Sequence, residues 1–286
     1  MKVLLFGPDG QVGQECLSLL RKRGDEVVPL SKEEADLTTE HGTDRILSER
    51  PDVVLNAAAY TAVDKAEQDR EVCKEINALA VHRMVKNCRK VGCSFLHIST
   101  DYVFDGKLEK DLCYDIDSRT NPINVYGETK RLGELFALSY EKSFVVRTSW
   151  VFGKGKNFVK TMLRLFESHE QVQVVRDQVG SPTYAKDLAK LLCDMITTEK
   201  YGLYHATNEG FCSWYDFAKA ISEESHKDVT IIPVTTAQYQ EIGHPLAKRP
   251  MNSKLSKKSL QDNSFSLLPD WRDALRRFLT EGETEK

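Results

Sequence analysis

Apolar residues along this chain fall into two alternating spacings. Lys2-Val3-Leu4-Leu5-Phe6 is a short apolar run that stops at Gly7, and the following segment carries Cys16, Leu17, Leu19 and Leu20 at helical spacing. The sequence therefore predicts strand, glycine turn and helix, with the helix over 14–23. The pattern repeats, predicting strands at 26–30, 52–56, 94–98 and 143–147 and helices at 40–49, 69–91 and 126–139. Short apolar strands alternating with amphipathic helices imply a parallel sheet covered on both faces. The expected fold class is α/β, a doubly wound parallel sheet of Rossmann type spanning residues 1–150. Beyond Trp150 the order is less regular. Helices are predicted at 158–167, 184–197, 213–222 and 270–278, strands at 173–175, 203–205 and 230–234, and a loop rich in Pro and Lys at 244–258. With no linker, repeat or low-complexity block, residues 151–286 are expected to form a smaller mixed α/β lobe interleaved with the sheet.

Composition narrows the classes. A chain of 286 residues with 41% hydrophobic and 29% charged residues has enough apolar content for a sizeable core. A formal net charge of −3 offers no electrostatic footprint for nucleic acid or an anionic membrane. No apolar stretch approaches the roughly 20 residues that span a bilayer, and Met1-Lys2 leads straight into strand-like residues, so a cytoplasmic location is expected. The seven cysteines are scattered, with no C-x-x-C pair, and read as reduced. No H-x-x-x-H or H-E-x-x-H run occurs, which disfavours a metal-dependent hydrolase.

Candidate chemistry begins at the first turn. Gly7-Pro8-Asp9-Gly10-Gln11-Val12-Gly13 joins a strand to a helix. There the first glycine allows the bend, the second lets a pyrophosphate approach the backbone, and the third lets helix pack closely on strand. Much further on, Tyr126 and Lys130 sit four residues apart, on one face of the predicted helix. A phenol titrates near pH ~10 and transfers protons poorly at neutrality unless a cation stabilises its anion. At about 4 Å and an effective dielectric of about 20, Lys130 would interact with it by roughly 4 kcal/mol, enough to move its pKa by a few units. His97-Ile98-Ser99-Thr100-Asp101-Tyr102 lies at a carboxyl end of the sheet, where ligands of open α/β sheets bind, and Ser99 or Thr100 offers a hydroxyl to a carbonyl. Asn56-Ala57-Ala58-Ala59 ends the third strand with small residues that either flank a cofactor or simply close an apolar strand. The second strand ends without a carboxylate until Glu33, which favours NADP(H) over NAD(H), with NADH also usable.

Gly-x-x-Gly-x-x-Gly near the N-terminus followed by Tyr-x-x-x-Lys resembles the extended short-chain dehydrogenase/reductase superfamily. Within it, several strings together resemble the dTDP-4-dehydrorhamnose reductase family over nearly the whole chain. They are Gly10–Gly13, Asn56–Glu67, Ser99–Phe104, Asn124–Lys130, Arg147–Phe152, Asp177–Thr183 and Arg249–Ser253. The resemblance implies reduction of a dTDP-linked 4-keto sugar by NADPH. By it, Tyr126 is the catalytic acid, Lys130 holds the nicotinamide ribose and tunes Tyr126, and Thr100 supplies the catalytic hydroxyl. It places the cofactor on Gly7, Gly10, Gln11, Val12, Gly13, Asp36, Leu37, Ala57, Ala58, Ala59, Tyr126 and Lys130. The substrate meets Thr100, Asp101 and Trp150, and the lobe at 151–286 binds the sugar nucleotide.

One departure is Pro8, which removes a backbone donor from the turn. Some relatives carry magnesium at a dimer contact through a glutamate at the position of Glu15, which leaves a homodimer open. A glutamate in the first turn of a helix is explained by the macrodipole alone, and no metal is expected. Dehydratases of the superfamily follow the Thr with Asp-Glu, whereas this chain has Thr100-Asp101-Tyr102. An epimerase retaining NAD, and a non-catalytic regulatory subunit like that of methionine adenosyltransferase, are the remaining alternatives.

Overall fold

The computed structural model describes residues 1–241, 243 and 247–284. Five strands, β1 (Lys2–Phe6), β2 (Glu26–Leu30), β3 (Val53–Asn56), β4 (Ser94–Thr100) and β5 (Ser143–Thr148), join the strand Gly202–His205 in one parallel sheet. The spatial order is β2, β1, β3, β4, β5 and then Gly202–His205. The order reverses between β1 and β3, and a crevice opens beyond their carboxyl ends at such a switch point. Gly7 follows β1 and Ala57 follows β3, so the glycine turn and the small-residue run face each other across it.

The period of two along β1 explains the layers. Val3 and Leu5 point to one face, where they pack with Cys16 and Leu20 of α1 (Gln11–Arg23) and with Leu188 and Leu192 of the helix Ala185–Met195. Leu4 and Phe6 point to the other, against Val81, Met84 and Val85 of the helix Ala80–Val91. Residues 185–205 thus return to the sheet layer and supply both a covering helix and an edge strand. The strand lies at the edge yet carries Tyr204 and His205 fully covered.

The helix expected over 69–91 is broken into Arg70–Lys74, a π-turn at Glu75–Leu79 and Ala80–Val91. The cause is Asn77: its side chain accepts from Tyr60 N at 2.9 Å and donates to Tyr60 O at 3.1 Å, so the turn widens to hold the loop after β3. The segment expected as a helix over 40–49 is likewise a 3₁₀ turn at Glu40–Thr43 and a short helix Arg45–Glu49.

In the lobe, the strands Gln171–Val175 and Thr230–Val234 pair in parallel over their whole length. The helices Phe158–Ser168 and Trp214–Glu224 bury Val159, Phe217 and Ile221 with Phe152. Of the loop expected over 244–258, His244, Pro245 and Leu246 lie outside the described residues. Asn252 fastens the rest, donating to the carbonyls of Leu108, Glu109 and Leu112 at 3.0–3.3 Å.

Candidate active site

A cavity of about 680 Å³ runs along the carboxyl ends of β1, β3 and β4 into the lobe. Gly7, Gly10, Gln11 and Val12 form one wall, and Ala57, Ala58 and Ala59 the opposite one. Asp36 and Leu37 close the end nearest β2, beside Ser31 and Lys32. Gly13 does not reach the cavity. It lies beneath the turn, where a Cβ would stand 1.9 Å from Gly7 O, so its part is to let α1 close on β1. Gly7 adopts φ +75°, and a Cβ there would meet the Ala58 backbone at 2.7 Å.

The start of α1 suits a phosphate. Gly10 caps it in extended conformation with no side-chain hydrogen bond. Because the helix begins at Gln11 rather than at the expected Gln14, Glu15 lies beyond its first turn, which carries no acidic residue. The N–H groups of this turn and the positive end of the helix dipole therefore lie at the cavity wall, which Asp9, just before the cap, also lines. At the β2 end, Glu34 accepts from Ser31 N at 2.9 Å, whereas Lys32 lines the cavity. Asp36 is engaged with Thr38, accepting from its N–H at 2.9 Å and its hydroxyl at 2.7 Å, and these bonds hold its carboxyl below the usual range.

At the middle of the cavity, the helix Val125–Leu138 begins at Asn124, whose side chain accepts from Gly127 N at 2.8 Å and donates to Lys248 O at 2.7 Å. This cap sets the first turn, so Tyr126 and Lys130 both reach the cavity beside Thr100 and Asp101 at the end of β4. The Thr100 hydroxyl lines the cavity together with the Tyr126 phenol. It also accepts from Tyr102 N at 3.2 Å and donates to Asp101 Oδ1 at 3.1 Å. Burial pushes the Tyr126 phenol above its ordinary pKa, and the nearby Thr100 hydroxyl opposes that rise. Burial also draws Lys130 down to about 8 and raises Asp101 to about 6, although Thr100 donates to the latter. Asp101 Oδ2 is buried with no hydrogen-bond partner.

One expectation needs correcting. Lys130 does not pair with the phenol in this arrangement. Its Nζ donates to Ile98 O at 2.6 Å and lies 3.3 Å from His97 Nε2. Helical spacing puts both side chains on one face, and the four-carbon stem takes the amine to the Ile98 carbonyl of β4, where it makes its hydrogen bond.

Trp150 holds φ +48°, strained for so bulky a residue, and its indole stacks on Trp214 with centroids 3.7 Å apart. A second cavity of about 540 Å³ opens on the far side of that stack, lined by Trp214, Phe158, Gln178 and Arg249. Sequence reading passed over several of these residues. Lys154 and Lys156 add cationic side chains to the first cavity, and the run Lys154-Gly155-Lys156 is a legible signal of them. Arg249 bonds Asp64 at 2.8 Å and also reaches Tyr102, while Ser253 reaches Asp101. These links lie far apart in sequence, and no local pattern announces them. Among the described residues, no three His, Cys, Asp or Glu side chains converge to hold a metal ion.

A dinucleotide turn at the switch point of a parallel sheet, with Tyr, Lys and Thr gathered beside it, defines a reductase of the short-chain dehydrogenase type. The whole chain extends that class to a particular family. Residues 1–284 match the family described as RmlD substrate binding domain, and the protein belongs to it, among the dTDP-4-dehydrorhamnose reductases. It is 40% identical to dTDP-4-dehydrorhamnose reductase of Escherichia coli strain K12, covering 98% of both chains. It is 39% identical to the spore coat polysaccharide biosynthesis protein SpsK of Bacillus subtilis, covering 98% of this chain and 97% of that one. The crystal structure of dTDP-4-dehydrorhamnose reductase from Bacillus anthracis in complex with NADP superposes with a TM-score of 0.92, at 38% identity, covering 98% of this chain and 99% of the other.

Proposed function

We propose that this protein reduces the C4 ketone of dTDP-4-dehydro-L-rhamnose to give dTDP-L-rhamnose, using NADPH. The observation that carries the reading is the gathering of Thr100, Tyr126 and Lys130 on the wall of a cavity that begins at the glycine turn. Bound on that turn, NADPH would supply the hydride for C4. Gly7, Gly10, Gln11 and Val12 hold its phosphates through the start of α1, over the helix packing that Gly13 permits. Ala57, Ala58 and Ala59 leave room on the other side, Asp36 and Leu37 border the adenosine end, and Lys32 offers the 2′-phosphate a cation. Thr100 and Tyr126 bind the ketone oxygen together, and Tyr126 gives its proton to the oxygen as negative charge develops there. Such a positioned acid contributes on the order of 10²–10⁴ in rate. A phenol whose pKa burial has raised remains protonated until that moment.

Asp101, with one carboxylate oxygen unpaired, takes a sugar hydroxyl, and Trp150 supports the sugar nucleotide. The second cavity, across the Trp150–Trp214 stack, offers the nucleotide end a flat apolar wall. Residues 151–286 thereby act mainly as the substrate lobe. The same reading carries a cytoplasmic location and a homodimer, checked by fractionation and by light scattering.

The test is NADPH oxidation measured against dTDP- and UDP-linked 4-keto sugars, with dTDP-4-dehydro-L-rhamnose expected to turn over fastest. Stoichiometric bound NAD with no net NADPH consumption would point to an epimerase instead. No turnover on any keto sugar, with a catalytic protein co-purifying, would point to a regulatory subunit.

A further inference from the structure

Behind Lys130 lies a chain of hydrogen bonds whose donors and acceptors can be counted. It starts from a group that cannot reverse: the backbone N–H of Ala58 donates to Asn56 Oδ1 at 3.1 Å. That bond fixes the Asn56 amide, because a flipped amide would set its NH₂ against the Ala58 N–H. The Asn56 Nδ2 then faces His97 Nδ1 at 3.1 Å as a donor. An imidazole nitrogen that accepts carries no proton, so the neutral ring keeps its proton on Nε2. His97 is fully buried, and burial holds its pKa well below the ordinary value, which keeps the ring neutral. Its Nε2 lies 3.3 Å from Lys130 Nζ.

An ammonium has three donors and no acceptor, and would oppose an Nε2–H. A neutral amine has a lone pair to accept it, and still donates to Ile98 O. We propose that His97 is a positioning residue for Lys130: Asn56 fixes the imidazole proton on Nε2, and that N–H favours Lys130 as a neutral amine bridging His97 and the Ile98 carbonyl.

Burial already draws Lys130 toward the neutral amine, and this device acts in the same direction. From its own helix Lys130 shares its space with Tyr126 and Glu134. Glu134 favours the ammonium, but its carboxylate is already held by Arg147 at 2.7 and 2.8 Å and by Arg131 at 3.2 Å. Cys73, from the helix Arg70–Lys74, also favours the ammonium only as a thiolate, and burial raises its pKa. From the end of β4, Asp101 and Tyr102 share the cavity with it, and both pKa values are raised. Gly133, three residues after Lys130, lets the helix close on the Asn77 carbonyl, which a Cβ would approach to 2.2 Å, and leaves His97 Nε2 at ordinary contact distance. A lysine titrating near the working pH passes protons to and from a neighbouring phenol more readily than an ordinary one. Its part in turnover belongs to the reductase reading, whereas its protonation is measured without NADPH or substrate, so the two stand or fall separately.

The measurement is the pH titration of the Lys130 ε-carbon resonance in the cofactor-free protein labelled with ¹³C-lysine, the signal being identified by its loss in Lys130→Arg. The wild type is expected to titrate at about 8. Asn56→Asp replaces the donor facing Nδ1 with a carboxylate oxygen, moves the imidazole proton to Nδ1 and offers the Nε2 lone pair to an ammonium. The midpoint should rise by about one pH unit or more, a tenfold change in the equilibrium. His97→Gln introduces no charge and lets an amide oxygen turn toward Lys130, so its midpoint should rise as well. A wild-type midpoint at the ordinary lysine value of about 10.4 overturns the proposal on its own. So does an unmoved midpoint in His97→Gln, because a merely structural role alters stability and leaves the titration in place.

Discussion

Two polar clusters lie one helical turn apart on Val125–Leu138, and they are built on opposite terms. The deeper one centres on Glu134, which is completely buried and accepts four bonds: Ser99 Oγ at 2.6 Å, Arg147 at 2.7 and 2.8 Å and Arg131 at 3.2 Å. Arg147 packs its guanidinium over Phe104, 5.0 Å from the ring centroid, and meets His205 at 3.2 Å. In the outer cluster Thr100, Asp101 and Lys130 are nearly as buried and Tyr126 is partly exposed, but Asp101 keeps an unpaired oxygen and the pKa values of Asp101, Tyr126 and Lys130 are displaced. Buried polar groups in a folded core are ordinarily matched one for one. The Glu134 carboxylate, matched by Ser99 and its arginines, joins β4, β5 and the helix, although His205 Nδ1 behind it has no partner, whereas the outer cluster leaves its bonding capacity facing the cavity. Displaced titration beside a cleft marks the working end.

Two substitutions separate these roles most sharply. Tyr126→Phe should lower kcat by roughly 10²–10⁴-fold while leaving NADPH affinity and thermal stability close to wild type, because it deletes the transferable proton and little else. Stopped-flow turnover with a fluorescence titration of NADPH checks both, and an unchanged kcat removes Tyr126 from the reaction. Arg147→Met should do the reverse. It strands a buried carboxylate and should destabilise the fold by about 3–5 kcal/mol, read by urea denaturation. The pair Glu134→Leu with Arg147→Met should recover most of that loss, since the uncompensated charge goes with it. If the double variant is as unstable as the single one, the cluster holds the fold by something other than charge matching.

The same contrast sets how far the sequence could be read. Strand periodicity placed β1, β2, β3, β4 and β5 within one or two residues, because burial on both faces leaves unbroken apolar runs between turn residues. The glycine turn and Tyr126 with Lys130 were legible because each is a local spacing on one element. What escaped was long-range. Nothing near Asp101 announces that Ser253 would lie beside it, nor does Lys130 advertise the Ile98 carbonyl to which it donates. The π-turn at Glu75–Leu79 was read as plain helix because the helical period continues through it. Asn77 departs from that ladder only because a loop following β3 needs its amide. The pairing of Gln171–Val175 with Thr230–Val234 was likewise hidden, since both strands were visible and their partnership was not.

The smallest effect expected is the most discriminating, because it should improve stability while harming function. Asp101 is buried, and its carboxyl is raised from an ordinary 3.8 to about 6. A carboxyl whose folded pKa lies above its unfolded one binds protons more tightly in the folded state. The stability this supplies is complete below about pH 4 and is lost as pH rises through about 6. At pH 8 the folded protein therefore carries the full penalty of an ionised buried carboxylate, on the order of 2–3 kcal/mol for a carboxyl raised this far. Asp101→Asn keeps the shape and removes the charge. Urea denaturation should show it more stable than wild type by about that amount at pH 8, with the gain vanishing near pH 4, where both side chains are neutral. Turnover should fall at both pH values. A variant less stable than wild type at pH 8 would place Asp101 with Glu134, as a charge the fold needs, and would leave the outer cluster without its unmatched member.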